Sequence, residues 1–281
     1  MSETLEEPNQ LPPLEAVLQT EPVQPAGTPA ETQRLLGRVA IITGADQGLG
    51  RAIAVAFAQE GAGVVVVYHS GHADAETTAN LIRSAGGEPL LLAGDVGSEA
   101  FCSEIVAKTV ERFGAIHILV NNAAEALAEC DLQDLSRERL EQTFRTNVYA
   151  QVYLVKQALP HLHAGASIVN TASVAAYLGS HVFLDHAASK GAVVSLTRSL
   201  SKALASRGIR VNAVAPGPIW TPKALTPGTE DQAARLDLEV PMGRAGEPPE
   251  IAACYVFLAS PQASYLTGQV LHPNGGEIVN G

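Results

Sequence analysis

From Arg38 onward, short apolar runs alternate with stretches in which apolar residues recur every three or four positions. The runs Val39–Ile42, Val64–Tyr68, Pro89–Ala93, Ile116–Asn121, Ser167–Thr171, Ile209–Ala215 and Gln269–Leu271 are short and continuous, the pattern of strands buried on both faces. Helical spacing fills the intervals. In Gly48–Glu60 it brings Ile53, Ala54 and Phe57 onto one face, with Gly61 as the stop. The same period covers 73–85, 99–113, 137–163, 186–206 and 248–259. Strands alternating with helices predict an α/β fold: seven parallel strands in one sheet, helices on both faces, right-handed crossovers.

Two segments break this rhythm. Residues 1–35 are rich in Pro, Glu, Gln and Thr, with little sustained periodicity, and read as a disordered or subunit-crossing arm ahead of a domain over 36–281. Leu11, Leu14 and Leu18 are the residues that would dock such an arm on a neighbouring subunit. Residues 217–246 carry four prolines and four glycines and read as a lid over the strand ends.

Composition narrows the classes. With 46% apolar residues among 281, the chain can bury a full core. The net charge of −11, with 18 scattered basic residues, argues against a nucleic-acid surface. Cys102, Cys130 and Cys254 lie far apart without a CxxC pair, so neither a disulfide framework nor a metal site is indicated, and a reducing cytoplasm is expected. No apolar run is long enough for a membrane span, and the N-terminus lacks the order of a signal peptide.

Candidate chemistry starts at the first strand–helix junction. Gly44, Gly48 and Gly50, with Asp46, Gln47 and Leu49 between them, form a loop that can bring backbone N–H groups and a helix N-terminus against a pyrophosphate. This places a nucleotide on a Rossmann-type doubly wound domain. The chemical candidates lie later. His186 and Lys190 stand four apart on one helix face, and Ser173 lies thirteen residues before the histidine, just past a strand.

The spacing of the glycine loop, Asp95-Val96 after the third strand, Asn121-Asn122-Ala123-Ala124, Asn147, the Ser173/Lys190 pair and Pro216-Gly217 with Ile219 and Thr221 together resemble the short-chain dehydrogenase/reductase family. Within it, the phrases Ala215–Pro222, Pro241–Gly246 and His272–Gly281 are similar to a stress-associated branch named for glucose or ribitol dehydrogenase. The resemblance implies a homotetramer and hydride transfer between a nicotinamide cofactor and an alcohol, sugar or polyol or its carbonyl partner. It assigns cofactor contacts to the glycine loop, Asp95, Val96, Asn122, Ala123, Lys190, Pro216, Gly217, Ile219 and Thr221. It also implies that Ser173 steadies the substrate oxygen, Lys190 holds the nicotinamide ribose and Asn147 keeps a water relay.

Two positions need separate treatment. The second strand ends in Val67-Tyr68-His69-Ser70, with no acid to hold a ribose 2′-hydroxyl, so His69 and Ser70 favour NADP, with NAD also possible. The family has tyrosine where this chain has His186. An imidazole starts at a pKa of roughly 6.5, needs no cation to become a base, and beside Lys190 is expected to be neutral. It also stops roughly one or two bond lengths short of a tyrosine hydroxyl, so a bridging water is needed. Three readings stand: a weaker acid/base, an altered chemistry, or a nucleotide-binding oligomer without turnover and with a structural or regulatory role. Tyr177, His181 and Phe183 are expected around the substrate pocket, Arg198, Lys202 and Arg207 on a solvated face, and Cys102 and Cys254 in the core.

Overall fold

The structure is a computed structural model that describes residues 33–125, 131–181, 183–220 and 240–279. The arm up to residue 32, Thr221 and the body of the expected lid lie outside the described residues, as does Cys130. The elements run β1 (Val39–Thr43), α1 (Gly48–Gln59), β2 (Gly63–Tyr68), α2 (His72–Ser84), β3 (Pro89–Ala93), α3 (Glu99–Phe113) and β4 (Ile118–Asn121). They continue with α4 (Arg137–Phe144), α5 (Ala150–Ala158), β5 (Ser167–Thr171), α6 (Ala175–Leu178), α7 (Leu184–Leu204), β6 (Arg210–Val214), α8 (Pro248–Ala259) and β7 (Val270–Leu271). No described helix is long and apolar enough to cross a membrane.

All seven strands are parallel, in the order β3-β2-β1-β4-β5-β6-β7. The order in which strands are added reverses between β1 and β4, and a crevice opens outside the strand ends at such a point. Strand alternation decides which layer each side chain joins. Ala40, Ile42, Val64, Val66, Ile118 and Val120 pack with α1 and α8, where Phe57 and Tyr255 are fully buried. Ile41, Val65, Val67 and Leu119 point the other way, against Cys102 and Ile105 of α3 and Leu154 of α5. A Val or Ile buried in this way contributes roughly 1.5–3 kcal/mol; the polar residues that the strands do bury, such as Ser167 and Asn212, donate to backbone carbonyls at 2.9 and 2.8 Å.

Three departures from the sequence pattern follow from local packing. Leu35, assigned to the arm, is fully buried, and Arg34 pairs with Glu60 at the end of α1. The helix expected as continuous over 137–163 contains a π turn at Arg145–Tyr149 and tightens to a 3₁₀ turn at Leu159–His161, where Pro160 lacks the N–H to continue it. The helix expected to begin at 186 begins at Leu184, which puts Asp185 in its first turn.

One polar chain crosses the apolar interior. Asn121 Nδ2 donates to Asn170 Oδ1 at 2.8 Å, and Asn170 Nδ2 donates to Thr197 Oγ1 at 2.9 Å, all three residues being buried. The chain ties β4, β5 and α7, the three elements that carry the candidate chemistry. Replacing Asn170 by Leu orphans groups on both sides, each costing about 1–3 kcal/mol. Urea unfolding of Asn170→Leu is expected to show a stability loss of about 2–4 kcal/mol with an unchanged m-value.

Candidate active site

The crevice at the strand ends is a cleft of about 700 Å³. Its lining includes Gly44, Asp46, Gln47, Gly48, Leu49, Gly50, His69, Ser70, Asp95, Val96, Asn122, Ala123, Ser173, His186, Lys190, Pro216, Gly217 and Ile219. Residues drawn from across the chain thus meet in one place. Asn147 stands behind the wall, fully buried.

The floor is the glycine loop. Thr43 Oγ1, at the end of β1, accepts from the N–H groups of Asn122 and Ala123 at 3.0 and 2.9 Å. Asn122 Nδ2 answers by donating to the carbonyls of Thr43 and Gly44 at 3.0 and 3.1 Å. A Cβ on Gly50 would stand 1.9 Å from Gly44 O, so only glycine lets the loop close on α1. Gln47, which precedes α1, makes no side-chain cap, and the first turn holds no acid. The N–H groups at the helix start are therefore left for an anion, which suits a dinucleotide's pyrophosphate.

At the chemical end, Lys190 is almost fully buried and its Nζ donates to Thr171 O at 2.7 Å. Burial alone pushes its pKa down to about 8, close to the point where an ammonium begins to lose its proton. His186 Nδ1 lies 3.2 Å from Glu125 O. A carbonyl can only accept, so Nδ1 carries the proton and Nε2 is left with its lone pair. Burial, and then the Lys190 charge, push the imidazole down to about 4. The neutral ring expected from the sequence follows, and the hydrogen bond selects between its two tautomers. Ser173 Oγ accepts from the Ala175 N–H at 3.2 Å, which leaves its hydroxyl proton to donate into the cleft.

Asn147 explains the π turn. Its Oδ1 accepts from the Glu125 N–H at 2.7 Å, and its Nδ2 donates to Glu125 O at 3.0 Å and to Ser189 Oγ at 3.0 Å. Gln151 Nε2 takes up the Asn147 carbonyl at 2.9 Å. The wider turn lets one side chain hold both the N–H and the carbonyl of Glu125.

Several participants had no signal in the spacing. Glu125 acts here through its backbone, which any residue carries. Asp185 is buried beside His186; Thr143 donates to it at 2.7 Å and Arg139 at 3.1 and 3.3 Å. Burial pushes its pKa up, but these donors outweigh that and hold the carboxyl below its ordinary value, so it anchors the start of α7 as an anion. Arg145, also in the cleft wall, faces Asp95 at 3.3 Å. Tyr177, expected in the substrate pocket, lines a different cavity with His272, Arg198 and Lys202. His181 is exposed and Phe183 half-buried at the entry to α7. Cys102 is buried and Cys254 half-buried.

The chain matches known proteins over most of its length. The family model described as enoyl-(acyl carrier protein) reductase matches residues 44–277. The chain is 48% identical over 273 residues to the uncharacterized oxidoreductase YhxC of Bacillus subtilis, covering 97% of this chain and 95% of that one. It is 48% identical over 254 residues to the glucose and ribitol dehydrogenase of Daucus carota, covering 88% and 87%. Among solved structures, a short-chain dehydrogenase from Burkholderia cenocepacia in complex with NADP superposes with a TM-score of 0.80 at 31% identity, over 86% of this chain and 98% of that one. A seven-stranded sheet whose glycine loop, Ser173 and Lys190 converge on one cleft, and whose sequence follows these proteins almost end to end, belongs to the short-chain dehydrogenase/reductase family of NAD(P)-dependent oxidoreductases.

Proposed function

We propose that this protein oxidises the CH–OH group of an alcohol, sugar or polyol, with His186 Nε2 as the base that accepts the hydroxyl proton. One observation carries the reading: the contact from Nδ1 to Glu125 O leaves Nε2 as the ring's free acceptor on the cleft side. Ser173 donates its hydroxyl proton to the substrate oxygen and steadies it as the proton leaves. Lys190 holds the nicotinamide ribose. Asn147 keeps the Glu125 carbonyl aimed at His186, and a water bridges the gap left by the missing phenol ring. Bound NAD(P)⁺ supplies the hydride acceptor. The end of β2 by itself favours NADP through His69 and Ser70, with NAD also usable.

The fixed tautomer gives the two directions unequal chances. Oxidation needs a bare Nε2, which the neutral ring supplies. Reduction needs a proton there, and with a pKa near 4 only roughly one ring in a thousand carries it at pH 7. The same low basicity favours the second reading, a nucleotide-binding oligomer without turnover, because a weak base takes a proton poorly. In either case the reading keeps a homotetramer in a reducing cytoplasm; the exposed apolar side chains of Tyr149 and Val152, three positions apart, offer a face to another copy of the chain.

Rates over a panel of sugars, polyols and ketones, with both cofactors, separate the readings when this protein is run beside His186→Ala and His186→Tyr. The base reading expects alcohol oxidation by the natural chain and a loss of about 10²–10⁴-fold in kcat/KM in His186→Ala. Turnover confined to His186→Tyr sinks it in favour of the non-catalytic oligomer. The pH dependence is a second check. Because the folded pKa lies near 4, the base form is complete above about pH 5, so oxidation should show no inflection near 6.5 and should fall only as pH drops towards 4. Carbonyl reduction should slow about tenfold per pH unit from 5 to 7.

A further inference from the structure

The cavity lined by Tyr177 shares no residue with the cleft and takes no part in the proton transfer. It is an open space of about 550 Å³ between the short α6, the second half of α7 and the edge strand β7. Its wall brings together Tyr177, Arg198, Lys202, Gln269 and His272. The frame is tight. Ser201 Oγ, on the turn of α7 between the two cations, donates to Arg198 O at 2.8 Å, and a Cβ on Gly268 would stand 2.7 Å from that same hydroxyl oxygen. The Val211 N–H donates to Thr267 Oγ1 at 3.1 Å, which pins the approach to β7 against β6.

Two polar atoms of this wall are left over. Tyr177 Oη and His272 Nε2 are nearly closed to solvent, and neither has a hydrogen-bond partner among the described residues. The two rings meet edge to face with centroids 4.8 Å apart, so each holds the other in place. A buried hydroxyl or imidazole nitrogen costs free energy until something pairs with it, and the chain itself provides nothing here. Burial pushes the phenol pKa up and the imidazole pKa down, so near pH 7 the phenol keeps its proton and the ring is neutral. The Arg198 charge reaches Tyr177, where it opposes that rise. Arg198 and Lys202 stand four apart on one face of α7, both exposed, and neither forms an ion pair among the described residues. No acid lines the cavity, in a chain whose net charge is −11. Lys202 in the last turn of α7 also suits the helix dipole, but that role leaves both orphaned atoms unexplained.

We infer that this cavity binds a small phosphate dianion, free or as a monoester, held by Arg198 and Lys202 and capped by the Tyr177 hydroxyl and the His272 imidazole. Two cations and two neutral donors suit the three acceptor oxygens of a phosphate better than the two of a carboxylate. The ligand ties α6, which follows Ser173, to the segment after β7, where Pro273 O accepts from the Gly217 N–H of the cleft wall at 3.2 Å. The inference stands on these residues alone and does not require turnover at His186.

Calorimetric titration of the full chain with inorganic phosphate, glycerol 3-phosphate and acetate, at fixed ionic strength, tests it. The natural protein should bind one of the two phosphates at least about tenfold more tightly than acetate. Tighter binding of the monoester marks an organic phosphate as the occupant, and tighter binding of the inorganic ion marks free phosphate. R198Q/K202Q should weaken that binding about tenfold or more, and Tyr177→Phe, which removes one oxygen and no charge, about threefold or more. Absence of saturable phosphate binding by the natural chain overturns the inference. So does binding that stays within twofold in both variants, since the anion then sits elsewhere, as on the glycine loop. Loss in R198Q/K202Q with none in Tyr177→Phe overturns it as well, because a loose attraction to two surface cations behaves that way. Should Tyr177→Phe fail to fold, the double variant decides, as its two positions are exposed. Light scattering on that variant closes the test: a changed mass with phosphate binding intact makes the cavity an interface between copies, and the inference falls.

Discussion

The backbone of Glu125 holds the chemical end of the cleft together. Its N–H and carbonyl are clamped by the two ends of the Asn147 amide, and the carbonyl also receives His186. Asn147 needs the π turn to reach it, and Ser189 steadies Asn147 from α7 by accepting its third contact. Remove that backbone from its place and the imidazole could turn, move its one N–H proton between the two nitrogens, and present a donor or an acceptor indifferently. A backbone group thus decides the polarity of a side chain, through a hydrogen bond that has only one possible direction.

The site also depends on a cation kept in unfavourable surroundings. Among the described residues Lys190 forms no ion pair; its partner is the carbonyl of Thr171. Desolvation lowers its pKa, and its remaining charge lowers that of His186 in turn. In a site built around tyrosine, the same cation would stabilise a phenolate. Around histidine it works the opposite way, because it penalises the charged form of the ring. The scaffold is therefore not neutral towards a histidine at this place: it converts a ring that ordinarily titrates near neutrality into one that stays unprotonated there. Asp185, one residue before, does not cancel this, since its charge is taken up by Arg139 and Thr143.

Most of the architecture was legible because the strands are buried on both faces and so read as unbroken apolar runs separated by helical periods. The glycine loop was legible for a different reason: Gly50 has no room for a Cβ, so the backbone geometry writes itself into the sequence. What stayed hidden were pairings that no spacing encodes. Asp185 and Arg139 are 46 positions apart and meet only because α4 packs on α7. The approach of the Asp46 carboxylate to Gly71, past the end of β2, depends on where the glycine loop folds back, and Glu125 contributes atoms common to every residue. The π turn was invisible because one extra residue in a turn leaves the apolar period on either side almost unchanged.

The clasp between Asn122 and the carbonyls of Thr43 and Gly44 joins residues 79 and 78 positions apart. During synthesis the glycine loop emerges first and must wait for β4 before anything holds it shut. Closing so long a loop is a slow, non-local event compared with forming the helices around it. An N-terminal fragment that ends before β4 would contain every glycine of the nucleotide loop and still lack the amide that locks it. The capacity to grip a phosphate is therefore acquired late in folding, when β1 and β4 first lie side by side.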